Sequence, residues 1–239
     1  MDRTTPITIA VDVLGAEAGP EIVLHGLAAA LAEDPGLNLI LTGPDAVITP
    51  FANENHARVQ ARPTTQVIGM DEHPAAAVRT KKDSSIVVGC RLVKEGVADG
   101  FFSPGSTGAI LAAATLVVGR LPGVARPALA TVIPTGGHPV CLVDVGANAD
   151  CKPEWLLQFA QMGAAYARIV MGVPAPRVGL LNIGSEEGKG SQLALEAHAL
   201  MKEGLPEFAG NAEGRDLFRG DFDVIVTDNI FGDIITDLG

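Results

Sequence analysis

Apolar, β-branched runs alternate with stripes at helical spacing along this chain. Residues 7–13 (ITIAVDV) read as a strand, and Gly15, Gly19 and Pro20 punctuate the chain before a helical stretch at 21–32. Residues 38–42 (NLILT) predict a second strand, closed by Gly43 and Pro44, and residues 58–62 a weaker third. Apolar positions over 86–97, behind Ser84 and Ser85, predict a helix at 84–95. Residues 101–114 (FFSPGSTGAILAAA) read as a short strand, a tight turn and a helix that stops around 119–122. Residues 128–133 and 140–145 predict an antiparallel pair about the turn 134–139. Pro153 opens a helix whose stripe is Leu156, Phe159, Ala160, Gly163, Ala167 and Val170, before Gly172. A strand at 177–183, a glycine-rich turn at 184–190, a helix ending near Gly204 and a strand at 223–227 complete the pattern. Strands alternating with helices predict an α/β protein with a mostly parallel sheet. No composition shift marks a linker, so the expectation is one α/β domain over residues 1–239, divided at most into two lobes around a cleft.

Composition narrows this picture. A chain of 239 residues with 47% hydrophobic residues can bury a core without staples. Cys90, Cys141 and Cys151 lack the number and spacing of a disulfide framework, which fits a reducing cytoplasm and buried thiols. The longest apolar run, 109–118, falls short of the roughly 18 residues of a membrane span. Asp12 interrupts the first apolar run, so the N-terminus does not read as a signal peptide. A formal net charge of −11 argues against bulk nucleic-acid binding. One window reverses that sign: Arg79, Lys81, Lys82, Arg91 and Lys94 stand against the single acid Asp83. It reads as a docking face for an acidic partner, an anion pocket or a solvated helix face.

Polar clusters recur just after predicted strands: Gly15, residues 103–108, residues 144–148, residues 182–187, and Asp228 with Asn229. Ligands of open α/β sheets bind at the carboxyl ends of strands, so these clusters predict a pocket. Ser103, Gly105, Ser106, Thr107 and Gly108 form a turn whose small residues let backbone N–H groups approach an anion, with Ser106 or Thr107 capping the helix. Alone, this turn equally serves as an ordinary strand-to-helix connection. Residues 184–190 (GSEEGKG) fail the P-loop test in spacing and at Gly190, and no dinucleotide fingerprint, nucleophile elbow or zinc-type histidine pair occurs. What remains is Lys81, Lys82, Ser84, Ser85, Ser106, Thr107 and Lys189 with the amides of Asn148 and Asn182. This set suits phosphate binding and oxyanion stabilisation without a protein nucleophile.

These residues resemble the PlsX-type acyl-ACP:phosphate acyltransferases of bacterial phospholipid synthesis. The likeness runs through residues 67–85 (VIGMDEHPAAAVRTKKDSS), 92–99 (LVKEGVAD), 103–108 (SPGSTG), 119–129 (GRLPGVARPAL), 144–148 (DVGAN), 158–163 (QFAQMG), 179–184 (GLLNIG) and 210–216 (GNAEGRD). It implies an isocitrate/isopropylmalate dehydrogenase-like fold with a doubly wound, mostly parallel sheet carrying an antiparallel portion. It further implies a homodimer, and transfer of a fatty acyl group from acyl carrier protein to inorganic phosphate. Phosphate would then sit on Ser103, Gly105, Ser106, Thr107 and Gly108 with Lys81, Lys82, Ser84 and Ser85. Asn148, Asn182 and Lys189 would act in catalysis, and Arg79, Arg91 and Lys94 would dock the acidic carrier. No cofactor is required, and peripheral membrane association is compatible with the resemblance.

Both ends depart from the family pattern. Ala16 and Glu17 stand where the family tends to have Gly and Asp, and Pro104 and Ser106 where it tends to have Ala and Asn. Residues 229–237 (NIFGDIITD) look like the metal-binding segment of β-decarboxylating dehydrogenases, with Asp233 and Asp237 one helical turn apart as candidate ligands for a divalent metal. The chain also ends before the family's C-terminal part. Two other readings therefore stay open: a metal- and NAD-dependent dehydrogenase, and an inactive truncated homologue.

Overall fold

The computed structural model describes residues 5–228, which divide into two compact units at residue 119. In the first unit, β1 (Ile7–Asp12), β2 (Leu37–Gly43), β3 (Val59–Pro63) and β4 (Gly100–Phe102) form a parallel sheet in the order β3-β2-β1-β4. Alternation along the strands sorts side chains onto two faces. Val11, Leu39 and Leu41 pack with Leu31 of α1 (Pro20–Glu33) and with Ile48 and Ala52 of α2 (Asp45–Glu54). On the opposite face, Ala10 and Ile40 pack with Leu92 of α4 (Ser85–Lys94). Two short helices, α3 (Pro74–Thr80) and α5 (Thr107–Ala113), join α4 in a further cluster, and α5 runs on into a π-helical turn, Ala114–Val118.

The second unit holds a five-stranded sheet in the order β5-β6-β9-β7-β8, built from β5 (Ala130–Ile133), β6 (Val140–Val143), β7 (Val178–Leu181), β8 (Phe208–Ala212) and β9 (Val224–Val226). β5 is antiparallel to β6, whereas the remaining neighbours are parallel. One face packs Cys141, Val143, Leu180 and Val224 against Phe159 of α6 (Pro153–Ile169) and Met201 of α7 (Gln192–Gly204). Gly163 brings α6 onto the sheet: a Cβ there would lie 2.6 Å from a methyl of Val224. The other face buries Leu142 and Ile225 with Leu217, from the 3₁₀ turn Gly214–Phe218.

The expected single sheet is thus corrected to two. β4 ends the first sheet, while β5 finds its partner locally, across the turn before β6, at the edge of a separate sheet. The antiparallel portion is present, as expected, in that hairpin. Two helices and one strand are absent from the pattern-based reading: α2, which contains Pro50, α3 and β8.

Candidate active site

In the first unit, the carboxyl ends of β1 and β4 bring together residues from four segments. Asp12 closes β1 and is 1% exposed. Its carboxylate accepts hydrogen bonds from the Leu14 N–H (2.9 Å) and the Ser103 hydroxyl (2.8 Å), and the Ser85 side chain also bonds to it. Burial pushes the Asp12 pKa above its ordinary value, against the lowering effect of those bonds. Ser103 in turn accepts the Gly105 N–H at 3.0 Å, which folds the turn back over the carboxylate. Gly15 packs directly on this turn: its φ is +99°, and a Cβ would lie 2.4 Å from the Gly105 Cα. Ser106 caps α5 by accepting the Ala109 N–H at 3.4 Å. The N–H groups of Thr107 and Gly108, at the first positions of that helix, have no intrahelical acceptor. The turn is therefore a rigid cradle ending in amides, with Thr107 exposed and Asp12 beneath it.

The 81–85 segment is packed alongside by its own bonds. Ser84 caps α4 through the Val87 N–H and donates to the Lys81 carbonyl. The Ser85 carbonyl accepts from Thr42, a fully buried hydroxyl on β2. Lys81 ion-pairs with Glu72 at 2.6 Å and donates to the Val67 carbonyl at 2.7 Å, while the Lys82 ammonium donates to the Val78 carbonyl at 3.2 Å. Lys81 and the Gly69 N–H together hold the Glu72 carboxyl below its ordinary range. Arg79 lies in the last turn of α3, and Arg91 and Lys94 in the last turn of α4; all three are exposed.

In the second unit, Asp144 is fully buried after β6, and its two oxygens accept the N–H groups of Leu129 (2.8 Å), Ala147 (3.1 Å) and Asn148 (2.9 Å). The Asn148 amide donates to the Pro127 carbonyl (2.9 Å) and to Asp144 (2.8 Å), so both of its N–H hydrogens are engaged. Asn182, after β7, uses one hydrogen on the Lys189 carbonyl (2.8 Å), and its oxygen accepts the Ile183 N–H. Gly190 closes the 184–190 loop against it at φ +100°, where a Cβ would lie 2.3 Å from the Asn182 oxygen. Asn211 of β8 clamps the same loop through the Glu186 carbonyl (2.8 Å), and its oxygen lies 2.9 Å from Nδ1 of buried His198. Because an amide oxygen only accepts, that histidine nitrogen carries a proton. Lys202 adds an ion pair to Glu187. The clamped loop leaves Lys189 exposed and borders a cavity of about 180 Å³ lined by Asn182, Ile183, Gly190, Ser191 and Ala194 among others.

Asp12 and Asn211 were missed by sequence reasoning, whereas the scattered histidines, His198 among them, read as structural or exposed, and His198 is structural. Asp12 alone left a signal, as the only charge in an apolar strand. Asp233 and Asp237 lie outside the described residues; among those residues no group of three or more His, Cys, Asp or Glu is placed to hold a metal. No disulfide joins the cysteines, and burial pushes the Cys90 and Cys141 thiols up to about 11, which leaves both poor nucleophiles near neutrality.

Comparison with known proteins adds the family. A family model described as "Fatty acid synthesis protein" matches residues 7–238. A phosphate acyltransferase of Heliobacterium modesticaldum is 47% identical over 97% of this chain and 70% of its own length, and one of Desulforamulus reducens is 44% identical over 96% and 69%. The chain belongs to the phosphate acyltransferase family. The enzyme class expected from the sequence, acyl transfer, is that of the family. The same family model spans residues 229–237, and the comparisons do not support the isocitrate/isopropylmalate dehydrogenase-like segment expected there.

Solved structures correct the expected fold. The chain is similar to the EutD phosphotransacetylase from Staphylococcus aureus (TM-score 0.68, 18% identity, 98% of this chain and 81% of that one). It is also similar to a branched-chain phosphotransacylase from Enterococcus faecalis (0.61, 16%, 97% and 83%) and a 4-hydroxythreonine-4-phosphate dehydrogenase from Burkholderia phymatum (0.58, 16%, 98% and 84%). The fold of the phosphate acyltransferase chain is of this kind, not the isocitrate/isopropylmalate dehydrogenase-like fold expected. Alternating strands and helices are common to many such α/β folds, and the pattern alone does not separate them. Among the described residues no helix is long and apolar enough to cross a membrane.

Proposed function

We propose that the chain transfers a fatty acyl group from an acyl-carrier-protein thioester to inorganic phosphate, releasing acyl phosphate for phospholipid synthesis. The observation that carries this reading is the match to phosphate acyltransferases at 44–47% identity over nearly the whole chain. In the reaction, a phosphate oxygen attacks the thioester carbonyl carbon, a C–O bond forms, the C–S bond breaks, and the leaving thiolate takes a proton from solvent. No protein nucleophile enters, in keeping with the buried, protonated thiols.

The geometry supports separate roles for the two groups of residues. In the first unit, Ser103, Gly105, Ser106, Thr107 and Gly108 seat the phosphate on the amides that open α5, with Lys81, Lys82, Ser84 and Ser85 shaping the neighbouring segment. In the second unit, taken by itself, Asn182 retains a second N–H hydrogen and Lys189 is exposed, groups suited to hold an anion. Asn148, with both hydrogens engaged, holds the Asp144 loop in place. Exposed Arg79, Arg91 and Lys94 receive the acidic carrier protein. The reading includes a homodimer in the cytoplasm, peripheral contact with a membrane, and no metal requirement.

The test is incubation with palmitoyl carrier protein, with and without phosphate, and trapping of the product by hydroxylamine. The reading predicts phosphate-dependent palmitoyl hydroxamate; loss of thioester that does not depend on phosphate would sink it.

A further inference from the structure

An open groove in the first unit, of about 500 Å³, lies along α1 and has almost no polar surface; Ile22 and Phe102 in its lining are exposed. Its floor is Ile9 and Val11 of β1 and Leu39 of β2, α1 contributes Leu27, and Phe102 and Pro104 close one end. The last two belong to the segment that forms the proposed phosphate seat, and Ala16 in the wall follows Gly15, which packs on Gly105. The groove therefore abuts the proposed phosphate seat. Strand register fixes its extent: Leu37, also in the lining, stands level with Ile7, and Phe102 with Val11. From Leu37 to Phe102 this gives roughly 13 Å at about 3.3 Å per residue. Such a span accommodates much of an extended long-chain acyl group.

One residue argues that the space is kept open. Gly26 lies mid-helix in α1, exposed at the mouth of the groove, and a Cβ there would meet nothing within 4 Å. No steric demand or positive φ calls for glycine at this position. Any larger residue except proline would be a better helix former, at the expense of groove space.

We propose that this groove receives the acyl chain of the substrate, its polar end toward Pro104 and the 103–108 turn. The proposal rests on the acyl-transfer reading, and it places chain-length selection in the first unit. An apolar chain fits because the lining offers no polar side chain to pair, and each buried methylene should add about fourfold in affinity.

Gly26→Leu fills the groove from a position where the fold has room, so its melting temperature should equal or exceed that of the unsubstituted protein. Titration with cis-parinaric acid, a fluorescent eighteen-carbon fatty acid, should show binding that Gly26→Leu weakens at least tenfold. With palmitoyl and butyryl carrier-protein thioesters, the same substitution should lower the palmitoyl-to-butyryl ratio of kcat/KM at least tenfold. Absence of parinarate binding, or binding indifferent to Gly26→Leu, overturns the proposal. Dimerisation that Gly26→Leu abolishes would also overturn it, by giving this face to a second copy of the chain. If neither thioester yields acyl phosphate, the acyl-transfer reading fails, while the parinarate titration still decides the groove.

Discussion

Replacing Asn211 by alanine removes two hydrogen bonds, the 2.8 Å bond to the Glu186 carbonyl in the 184–190 loop and the 2.9 Å contact with Nδ1 of His198 on α7. The two losses differ in weight. Glu186 is exposed, so its carbonyl is rehydrated at little cost, whereas His198 is 5% exposed and its N–H is left buried without an acceptor. An unsatisfied buried donor costs about 1–3 kcal/mol, so the substitution should destabilise the second unit by roughly 2 kcal/mol. Replacing His198 and Asn211 together by leucine removes donor and acceptor at once and should cost less than the two single changes combined, with a coupling of about 0.5–3 kcal/mol. Amide hydrogen exchange over 184–190 measures the local effect, and denaturant unfolding of the single and double variants measures the coupling. Exchange in that loop should rise in Asn211→Ala and stay near its original rate in Asn182→Gln if the longer amide still reaches Lys189. Unchanged exchange in Asn211→Ala, or strict additivity of the two leucine substitutions, would refute the clamp.

Three further outcomes follow from the geometry. Gly15→Ala forces a Cβ to within 2.4 Å of the Gly105 backbone at φ +99°, and the backbone strain alone should cost roughly 1–3 kcal/mol; a thermal melt together with loss of phosphate binding by calorimetry checks it. Asn148→Ala should lower stability by about 1.5–3 kcal/mol through the lost bond to the Asp144 carboxylate, and a variant of unchanged stability with a hundredfold lower kcat would assign Asn148 to the oxyanion instead. The raised pKa of Asp12 means that the folded state holds its proton more tightly than the unfolded chain. Stability relative to Asp12→Asn should therefore be fully present below pH 3.8 and decline as pH rises through the elevated pKa, as read from denaturation midpoints across that range.

How far the sequence discloses this molecule varies by element. Strong periodicity marked β1, β2, α4 and α6, because each buries a continuous apolar face. By contrast, α2 carries Pro50 and β8 reads FAGNA, a glycine-bearing strand that local pattern cannot tell from a turn. Pairing partners are invisible to periodicity, which is why two sheets looked like one. The 103–108 turn was legible through its glycines and hydroxyls. Its support was not, since Asp12 reaches Ser103 across 91 residues of chain and only the parallel pairing of β1 with β4 brings them together. Similarly, Asn182 and Lys189 stood out near a glycine-rich loop, whereas the clamp from His198 through Asn211 depends on α7 packing against β8.

The central claim is direct attack of phosphate on an acyl thioester, and ³¹P NMR of the protein with palmitoyl carrier protein and phosphate tests it most directly. The account predicts a growing acyl-phosphate resonance that consumes phosphate in step with the thioester, with no acyl adduct in the intact mass of the protein. A thioester that is stable or merely hydrolysed, or an acyl group left on the protein, would contradict it.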